Sequence, residues 1–120
     1  MKTIICDIDG VIFKYSSKGT DAIMNKDPIL LPGVKEQFNK WEMAGHKIVL
    51  ITGRRESTRN WTEATLCDFG IPFDVLLMGH ADKGRVLIND VGSKSQCKAH
   101  AVSLPRDGGF KKIDWNAIGI

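Results

Sequence analysis

Near its start the chain carries the segment TIICDIDG, which covers residues 3–10. The first half of the segment is largely apolar, and a short run of this kind is typical of a buried β-strand. Two carboxylates, Asp7 and Asp9, follow at alternate positions, and Gly10 allows the backbone to turn sharply behind them. The segment therefore predicts a strand over residues 3–8 that ends in a pair of acidic side chains.

The remainder of the chain alternates between strand-like and helix-like patterns. Four more segments have the apolar content of strands: residues 46–51, 73–78, 85–88 and 99–104. Two segments have apolar residues at helical spacing and end at a glycine: residues 32–44 and 57–69. This alternation predicts an α/β fold with a mainly parallel sheet.

The length of 120 residues is that of one domain, which we expect to cover residues 1–120. Residues 11–31 lie between the first strand and the first helix, and their central part is polar and loop-like, which predicts a flap. A flap of this size is too small to be a separate domain, so the edge of the sheet beside the acidic pair should be open. The apolar tail, residues 111–120, is expected to pack on the domain or on a second subunit, which is compatible with an oligomer.

The composition excludes several classes of protein. Hydrophobic residues make up 42%, and no apolar stretch approaches the roughly 20 residues of a membrane-spanning helix, so neither a disordered chain nor a membrane protein is expected. Cys6, Cys67 and Cys97 lack metal-ligand spacing, and no signal-peptide pattern is visible, which predicts reduced thiols in a cytoplasmic protein. The net charge of +3 is compatible with an anionic substrate.

Polar residues also follow two other predicted strands. Thr52, Gly53 and Arg54 come after the second strand, and Asn89 and Asp90 come after the fourth. Because the carboxyl ends of parallel strands meet at one edge of a sheet, we expect these groups to lie near the acidic pair. Gathered carboxylates need a cation to offset their repulsion, and all-oxygen ligands favour Mg²⁺.

These residue types fit the transfer of a phosphoryl group. A carboxylate beside Mg²⁺, such as Asp7, can attack phosphorus, and Asp9 can serve as general acid and base. The hydroxyl of Thr52 and free backbone N–H groups near it can hold phosphoryl oxygens. The predicted substrate-binding residues share the turns after the first two strands: Gly10, Gly53 and Arg54.

Three segments resemble motifs of the haloacid dehalogenase-like (HAD) phosphohydrolases. Residues 7–11 resemble the first motif, residues 48–54 the second and residues 86–90 the last, with Asn89 at a position where aspartate is common. The resemblance covers residues 1–105. It implies a three-layer Rossmann-like fold of the HAD type, here without a cap domain.

The resemblance also implies a mechanism and a metal site. A phosphoaspartyl intermediate would form at Asp7, and Asp9 would protonate the leaving group and later activate water. Mg²⁺ would be held by Asp7, the backbone carbonyl of Asp9, and Asp90. The family also uses a lysine to neutralise the phosphoryl and aspartate charges, usually placed before the fourth strand.

The position of that lysine is open in this sequence. Lys94 is our first choice, because it follows Asp90 by a short loop that starts on the active edge. His80 follows the third strand and is the second choice, and Lys83 is the third because it should lie near the opposite edge. The link over residues 79–84 is too short for a helix, and it strains the usual strand order.

Three functions are compatible with these patterns. We favour a Mg²⁺-dependent phosphatase that acts on a sugar phosphate or another small phosphorylated metabolite. Arg54, Arg55 and Arg59 cluster at the start of the second helix, and residues 52–61 resemble the corresponding part of polynucleotide 3′-phosphatases, so a nucleic-acid substrate is the alternative. Asn89 and the displaced lysine motivate a third function, a non-catalytic binding domain on the same fold.

Overall fold

The structure is a computed structural model that describes residues 1–16, 27–80, 83–94 and 96–120. The central part of the predicted flap, residues 17–26, lies outside the described residues.

A parallel sheet forms the centre of the fold. Its strands are β1 (Thr3–Cys6), β2 (Lys47–Ile51) and β3 (Val75–Leu77), in the spatial order β1-β2-β3. Ile4 lies opposite Ile48, and Leu50 lies opposite Leu76, so the buried positions of neighbouring strands are in register. The sequence predicted all three strands, and their parallel arrangement confirms the predicted sheet type, although each strand is shorter than expected.

Two α-helices connect the strands. They are α1 (Val34–Met43) and α2 (Arg59–Asp68), and a turn of 3₁₀-helix, Glu56–Thr58, precedes α2. Val34, Phe38 and Trp41 recur at helical spacing, and all three are buried on one face of α1. Both helices were predicted, with ends one or two residues further out than observed.

The core combines aliphatic side chains of the sheet with buried aromatic side chains of α1. On β1 the side chains alternate, so that Ile4 and Cys6 are buried whereas Ile5 is exposed. The same side of the sheet buries apolar residues from β2, β3 and both helices: Ile48, Leu50, Leu76, Val34, Phe38, Trp41 and Leu66.

The C-terminal tail packs on its own domain. Phe110 is buried, and Trp115 lies edge-on against Trp41 with ring centroids 5.3 Å apart. Trp115 begins a short 3₁₀-helix, Trp115–Ile118, whose last carbonyl accepts a hydrogen bond from the Lys2 ammonium at 2.8 Å. The expectation that the apolar tail packs on the domain is confirmed.

The predicted fourth strand, residues 85–88, is wrong. Val86 and Ile88 are 89% and 88% exposed, and these residues are assigned to no strand. A parallel fourth strand would have to start at the amino edge of the sheet, and six extended residues can span about 20 Å to reach it. Instead, Arg85 still lies at the carboxyl edge, 3.6 Å from Asp7. The apolar run therefore begins at the wrong edge to pair in parallel with β1.

The predicted fifth strand, residues 99–104, is also wrong. These residues are assigned to no strand, and only Leu104 among their larger apolar side chains packs against the core, whereas Val102 is 43% exposed. Since a strand is stabilised by hydrogen bonds to a neighbouring strand, the loss of the fourth strand also removes the pairing partner of the fifth.

Candidate active site

The turn after β1 wraps tightly on itself. The N–H groups of Val11, Ile12 and Phe13 all donate to the Ile8 carbonyl, and the Gly10 N–H donates to the Phe13 carbonyl at 2.7 Å. Gly10 has φ +84°, and a Cβ there would lie 3.1 Å from the Arg106 side chain. Only glycine meets both conditions without strain, so the turn that carries the acidic pair depends on it.

A buried arginine holds the second carboxylate of the pair. Arg54 donates from Nε to Asp9 Oδ2 at 2.9 Å and from Nη2 to Asp9 Oδ1 at 2.8 Å. Its remaining nitrogen, Nη1, donates to the Thr62 hydroxyl at 3.1 Å, and its side chain is only 6% exposed. Arg54 was expected to contact substrate; in the structure each of its three guanidinium nitrogens donates to the protein, and the pair with Asp9 fixes the orientation of that carboxylate.

The loop after β2 presents Thr52 and Gly53 at the same edge of the sheet. The Thr52 hydroxyl accepts the N–H of Arg54 at 3.1 Å, which shapes the turn, and the Thr52 side chain is buried. The link after β3 is tied to this loop, since Gly79 donates to the Arg54 carbonyl and His80 donates to the Thr52 carbonyl. Gly53 is exposed between these anchors, so its backbone is accessible from the active edge.

Asp7 is more accessible than Asp9. Its Oδ1 accepts the N–H of Ile8 at 2.8 Å, its Oδ2 lies 3.6 Å from Arg85 Nη2, and 37% of its side chain is exposed. Arg85 is a cation that the sequence did not single out, and no sequence signal marked it, because the contact joins residues 78 positions apart in a segment expected to be a strand.

The neighbouring cysteine, Cys6, is not a candidate nucleophile. Burial raises the pKa of the Cys6 thiol to about 12, the negative charge of Asp7 adds to this increase, and the positive charge of Arg85 opposes it. The thiol therefore stays protonated at neutral pH, and only the thiolate is a strong nucleophile.

Two of the three groups predicted to bind Mg²⁺ fit that role. The Asp7 carboxylate is partly exposed, and no described residue donates a hydrogen bond to the Asp9 carbonyl oxygen. Asp90, in contrast, has a 73% exposed side chain that pairs with Lys98. Within the described ranges, no three His, Cys, Asp or Glu side chains are gathered so that they could hold a metal ion.

The three residues considered as the neutralising cation have different surroundings. His80 is anchored by its backbone at the carboxyl edge, near Glu56, whose pKa is lowered mainly by a hydrogen bond from Arg59. Lys83 and Lys94 are exposed, and in the part of the chain that the structure describes neither forms a hydrogen bond or an ion pair. Arg85 is the cation observed next to Asp7.

The predicted arginine cluster is largely occupied by internal contacts. Arg59 donates to Glu56 at 2.8 Å, to Glu63 at 3.1 Å and to the Leu76 carbonyl at 3.0 Å. Since Arg54 is bound to Asp9, Arg55 is the exposed member of the three. The cluster offers less to an anionic polymer than its sequence spacing indicated.

Sequence reasoning also missed a C-terminal contact that we call the clasp, residues 105–107. The N–H of Asp107 donates to the Gly10 carbonyl at 2.9 Å, and the N–H of Tyr15 donates to Asp107 Oδ1 at 2.7 Å. The only available signal was local: the run PRDGG, residues 105–109, combines proline, aspartate and two glycines, which is typical of a turn, with no indication of what the turn would contact.

The acidic pair lies at the carboxyl edge of the sheet. A hollow of about 400 Å³ lies away from the acidic pair, between Pro28 and α2, where Thr65 and Phe69 form part of its wall.

None of the helices in the described ranges combines the length and apolar character needed to cross a membrane.

Comparisons with known proteins support the fold. No protein-family model matches the chain, and no curated protein matches it. A chain of the Pnkp1/Rnl/Hen1 complex superposes with a TM-score of 0.57 at 26% identity, over 78% of this chain and 32% of that one. A D,D-heptose bisphosphate phosphatase from B. bronchiseptica, solved with magnesium and phosphate, gives 0.50 at 27% identity, over 69% and 52%.

A third structure, a protein from Vibrio cholerae, gives a TM-score of 0.51 at 20% identity over 79% of this chain and 85% of that one, and it supports the fold alone. The chain spans about a third of the Pnkp1/Rnl/Hen1 chain and about half of the heptose bisphosphate phosphatase. The parallel three-stranded sheet with two helices and these likenesses are consistent with a HAD-like α/β fold.

Proposed function

We propose that this chain is a cytoplasmic, Mg²⁺-dependent phosphatase of the HAD type, with a three-layer Rossmann-like fold and no cap domain. Its substrate is a phosphomonoester, either a sugar phosphate or another small metabolite. The observation that carries the proposal is the acidic pair on one tight turn at the carboxyl edge, with Asp9 held by Arg54 from the next strand's loop. The likeness to a heptose bisphosphate phosphatase supports phosphatase activity in this chain.

Asp7 is the proposed nucleophile. One of its oxygens is oriented by the Ile8 N–H, and a third of its side chain is open to an incoming substrate. In the first step a carboxylate oxygen of Asp7 forms a bond to phosphorus while the bond to the leaving oxygen breaks, which gives an aspartyl phosphate. In the second step water attacks that phosphorus, and the carboxylate of Asp7 is released with inorganic phosphate.

Asp9 is the proposed general acid and base. It donates a proton to the leaving oxygen in the first step and removes a proton from the attacking water in the second. Arg54 donates one hydrogen bond to each oxygen of Asp9, so the second lone pair of each oxygen is left to carry or accept a proton. Arg54 is then a positioning residue, and Gly10, Thr52 and Gly53 are the proposed contacts for phosphoryl oxygens.

The proposed Mg²⁺ ligands are the Asp7 carboxylate, the Asp9 carbonyl and Asp90. When bound, Mg²⁺ supplies positive charge that offsets the repulsion between Asp7 and the phosphoryl group. Asp90 can take part only if it leaves its partner Lys98, which makes it the weakest member of the ligand set. A further cation completes this neutralisation, with Lys94 favoured by sequence position and Arg85 favoured by its contact with Asp7.

The test is hydrolysis of p-nitrophenyl phosphate with and without Mg²⁺, followed by a panel of sugar phosphates. We expect turnover that requires Mg²⁺ and that is lost in Asp7→Asn. Failure of the folded protein to turn over any phosphomonoester in the presence of Mg²⁺ would reject the phosphatase and favour the non-catalytic binding domain.

A second candidate is an enzyme that removes 3′-phosphates from nucleic acid. Two observations favour it: the likeness to chains of the Pnkp1/Rnl/Hen1 RNA repair complex, and the exposed Arg55 next to the loop after β2. A 3′-phosphorylated oligonucleotide compared with sugar phosphates separates the two functions, because the favoured substrate should have the higher kcat/KM.

A further inference from the structure

Arg106 of the clasp lies directly on the turn that follows the acidic pair. Its guanidinium carbon is 3.9 Å from the centre of the Tyr15 ring, and its Cγ lies 3.1 Å from the place that a Cβ on Gly10 would occupy. The Arg106 side chain therefore lies along this segment, with its Cγ near Gly10 and its guanidinium over the Tyr15 ring. Arg106 and Tyr15 are both exposed, and among the described residues no carboxylate pairs with Arg106.

This arrangement prepares the guanidinium for an anion. A guanidinium stacked on an aromatic ring keeps its N–H donors free at its edge, where they match the oxygens of a phosphate group. Because the ring fixes the plane of the guanidinium, less conformational freedom is lost when an anion binds. Within the described ranges no carboxylate forms an ion pair with Arg106, so its charge is available to a ligand.

Asp107 fixes the backbone that carries Arg106. Its φ is +62°, which is uncommon for a residue other than glycine, although aspartate and asparagine tolerate it. Two hydrogen bonds hold it there, one to the Gly10 carbonyl and one from the Tyr15 N–H. A conformation of this kind persists where the surroundings over-determine it, so the position of Arg106 is set by the turn itself.

We infer that Arg106 binds a second phosphate group on the substrate, next to the one that is hydrolysed. This inference rests on the proposed function, because the turn that it concerns begins at the proposed nucleophile. Asp7 already has Arg85 as its cationic neighbour, whereas Arg106 contacts Gly10, three residues further on. The favoured substrate is therefore a phosphomonoester that carries another phosphate, either a sugar bisphosphate or a nucleoside bisphosphate.

The experiment measures what the second phosphate adds to binding. All proteins carry Asp7→Asn to prevent turnover, and affinities are measured by calorimetry with MgCl₂ present. The probes are two matched pairs, fructose 1,6-bisphosphate with fructose 6-phosphate, and thymidine 3′,5′-bisphosphate with thymidine 3′-phosphate. The pair that shows the larger ratio of affinities identifies the source of the second phosphate.

In the Asp7→Asn protein we expect at least one bisphosphate to bind about tenfold more tightly than its monophosphate. Arg106→Ala should bring that ratio close to one, and Arg106→Lys should give an intermediate ratio because it keeps the charge but not the planar fork. The matched control is Lys40→Ala, which removes the same charge from the exposed last turn of α1. It should leave the ratio unchanged.

The role of Asp107 is tested with a pair of substitutions. Asp107→Asn keeps an acceptor oxygen and tolerates a positive φ, so the ratio should be retained. Asp107→Ala loses both, so the ratio should fall although Arg106 is intact. A larger fall of the affinity ratio in Asp107→Ala than in Asp107→Asn would show that Asp107 positions Arg106, since neither variant changes Arg106 itself.

Equal ratios in the Arg106→Ala and parent proteins would overturn the inference, and so would the lack of any preference for a bisphosphate in either pair. The proposed function is judged separately, from hydrolysis of p-nitrophenyl phosphate by the chain with Asp7 intact. A retained Arg106-dependent ratio without that hydrolysis would reject the phosphatase and keep the anion site. Hydrolysis without the ratio would reject the site and keep the phosphatase.

Discussion

Residues 46–51 and residues 85–88 carry similar apolar patterns, yet they end in opposite environments. In β2, Ile48 and Leu50 are buried between β1 and β3, whereas in the later segment Val86 and Ile88 are almost fully exposed. In residues 83–94 and 96–103 no side chain is fully buried. The difference shows that an apolar run becomes a strand only where the chain delivers it to a partner in the right direction.

The largest effect should separate Asp7, which follows β1 in the paired sheet, from Asp90, which follows the unpaired residues 85–88. Asp7→Asn removes the attacking charge, so kcat should fall at least about a thousandfold, as is typical when a nucleophile is lost. Asp90→Asn should instead raise the Mg²⁺ concentration needed for half-maximal turnover by about tenfold, because a weak ligand is lost. Steady-state kinetics over a range of Mg²⁺ concentrations measures both.

Asp68→Asn, which neutralises an exposed carboxylate at the end of α2, is the matched control and should behave as the parent protein. If Asp90→Asn lowers kcat as much as Asp7→Asn does at saturating Mg²⁺, the predicted difference between these two carboxylates is wrong.

The two isoleucines provide the corresponding contrast in stability. Ile48→Ala should lower the free energy of unfolding by about 3 kcal/mol, because it removes buried methyl groups and leaves a cavity. Ile88→Ala should change it very little, since 88% of that residue is already in contact with water. Urea denaturation of both variants checks this, and a large loss in Ile88→Ala would show that residues 85–88 are packed after all.

Two ion pairs extend the comparison to charged groups. Arg54→Ala leaves Asp9 without its buried partner and should cost about 2 kcal/mol of stability. Lys98→Ala, which breaks the exposed pair with Asp90, should cost nothing measurable. Thermal unfolding measures the loss of stability in the two variants, and equal losses of stability would contradict the difference in burial between the two ion pairs.

Among the variants expected to lose function or stability, the smallest effect concerns the cation proposed to neutralise the phosphoryl group. Arg85→Ala should lower kcat/KM by about tenfold, since it removes the charge found beside Asp7. Lys94→Ala tests the choice made from sequence position. A larger loss in Lys94→Ala than in Arg85→Ala would show that residues 91–94 move to the active edge when substrate binds.

The sequence predicted the first three strands, both helices and the acidic pair, because their signals are local. Apolar spacing marks the elements, and parallel strands bring their carboxyl ends together without further information. The Thr52 loop could be assigned to the same edge as Asp7 for this reason alone.

The remaining contacts depend on residues far apart in the chain. Arg54 reaches Asp9 across 45 positions, Arg85 reaches Asp7 across 78, and Asp107 reaches Tyr15 across 92. No local pattern distinguishes an arginine that turns inward from one that meets substrate. The fourth strand was predicted wrongly for a related reason: its apolar pattern is local, but the edge at which it starts is not.

The most direct test of the central claim is to trap the phosphorylated side chain. The protein is quenched during turnover and treated with borohydride, which reduces an aspartyl phosphate to homoserine. It is then digested for peptide mass spectrometry. We expect homoserine at residue 7 and unmodified aspartate at residues 9 and 90. Turnover with homoserine at residue 9 or 90, and none at residue 7, would contradict it.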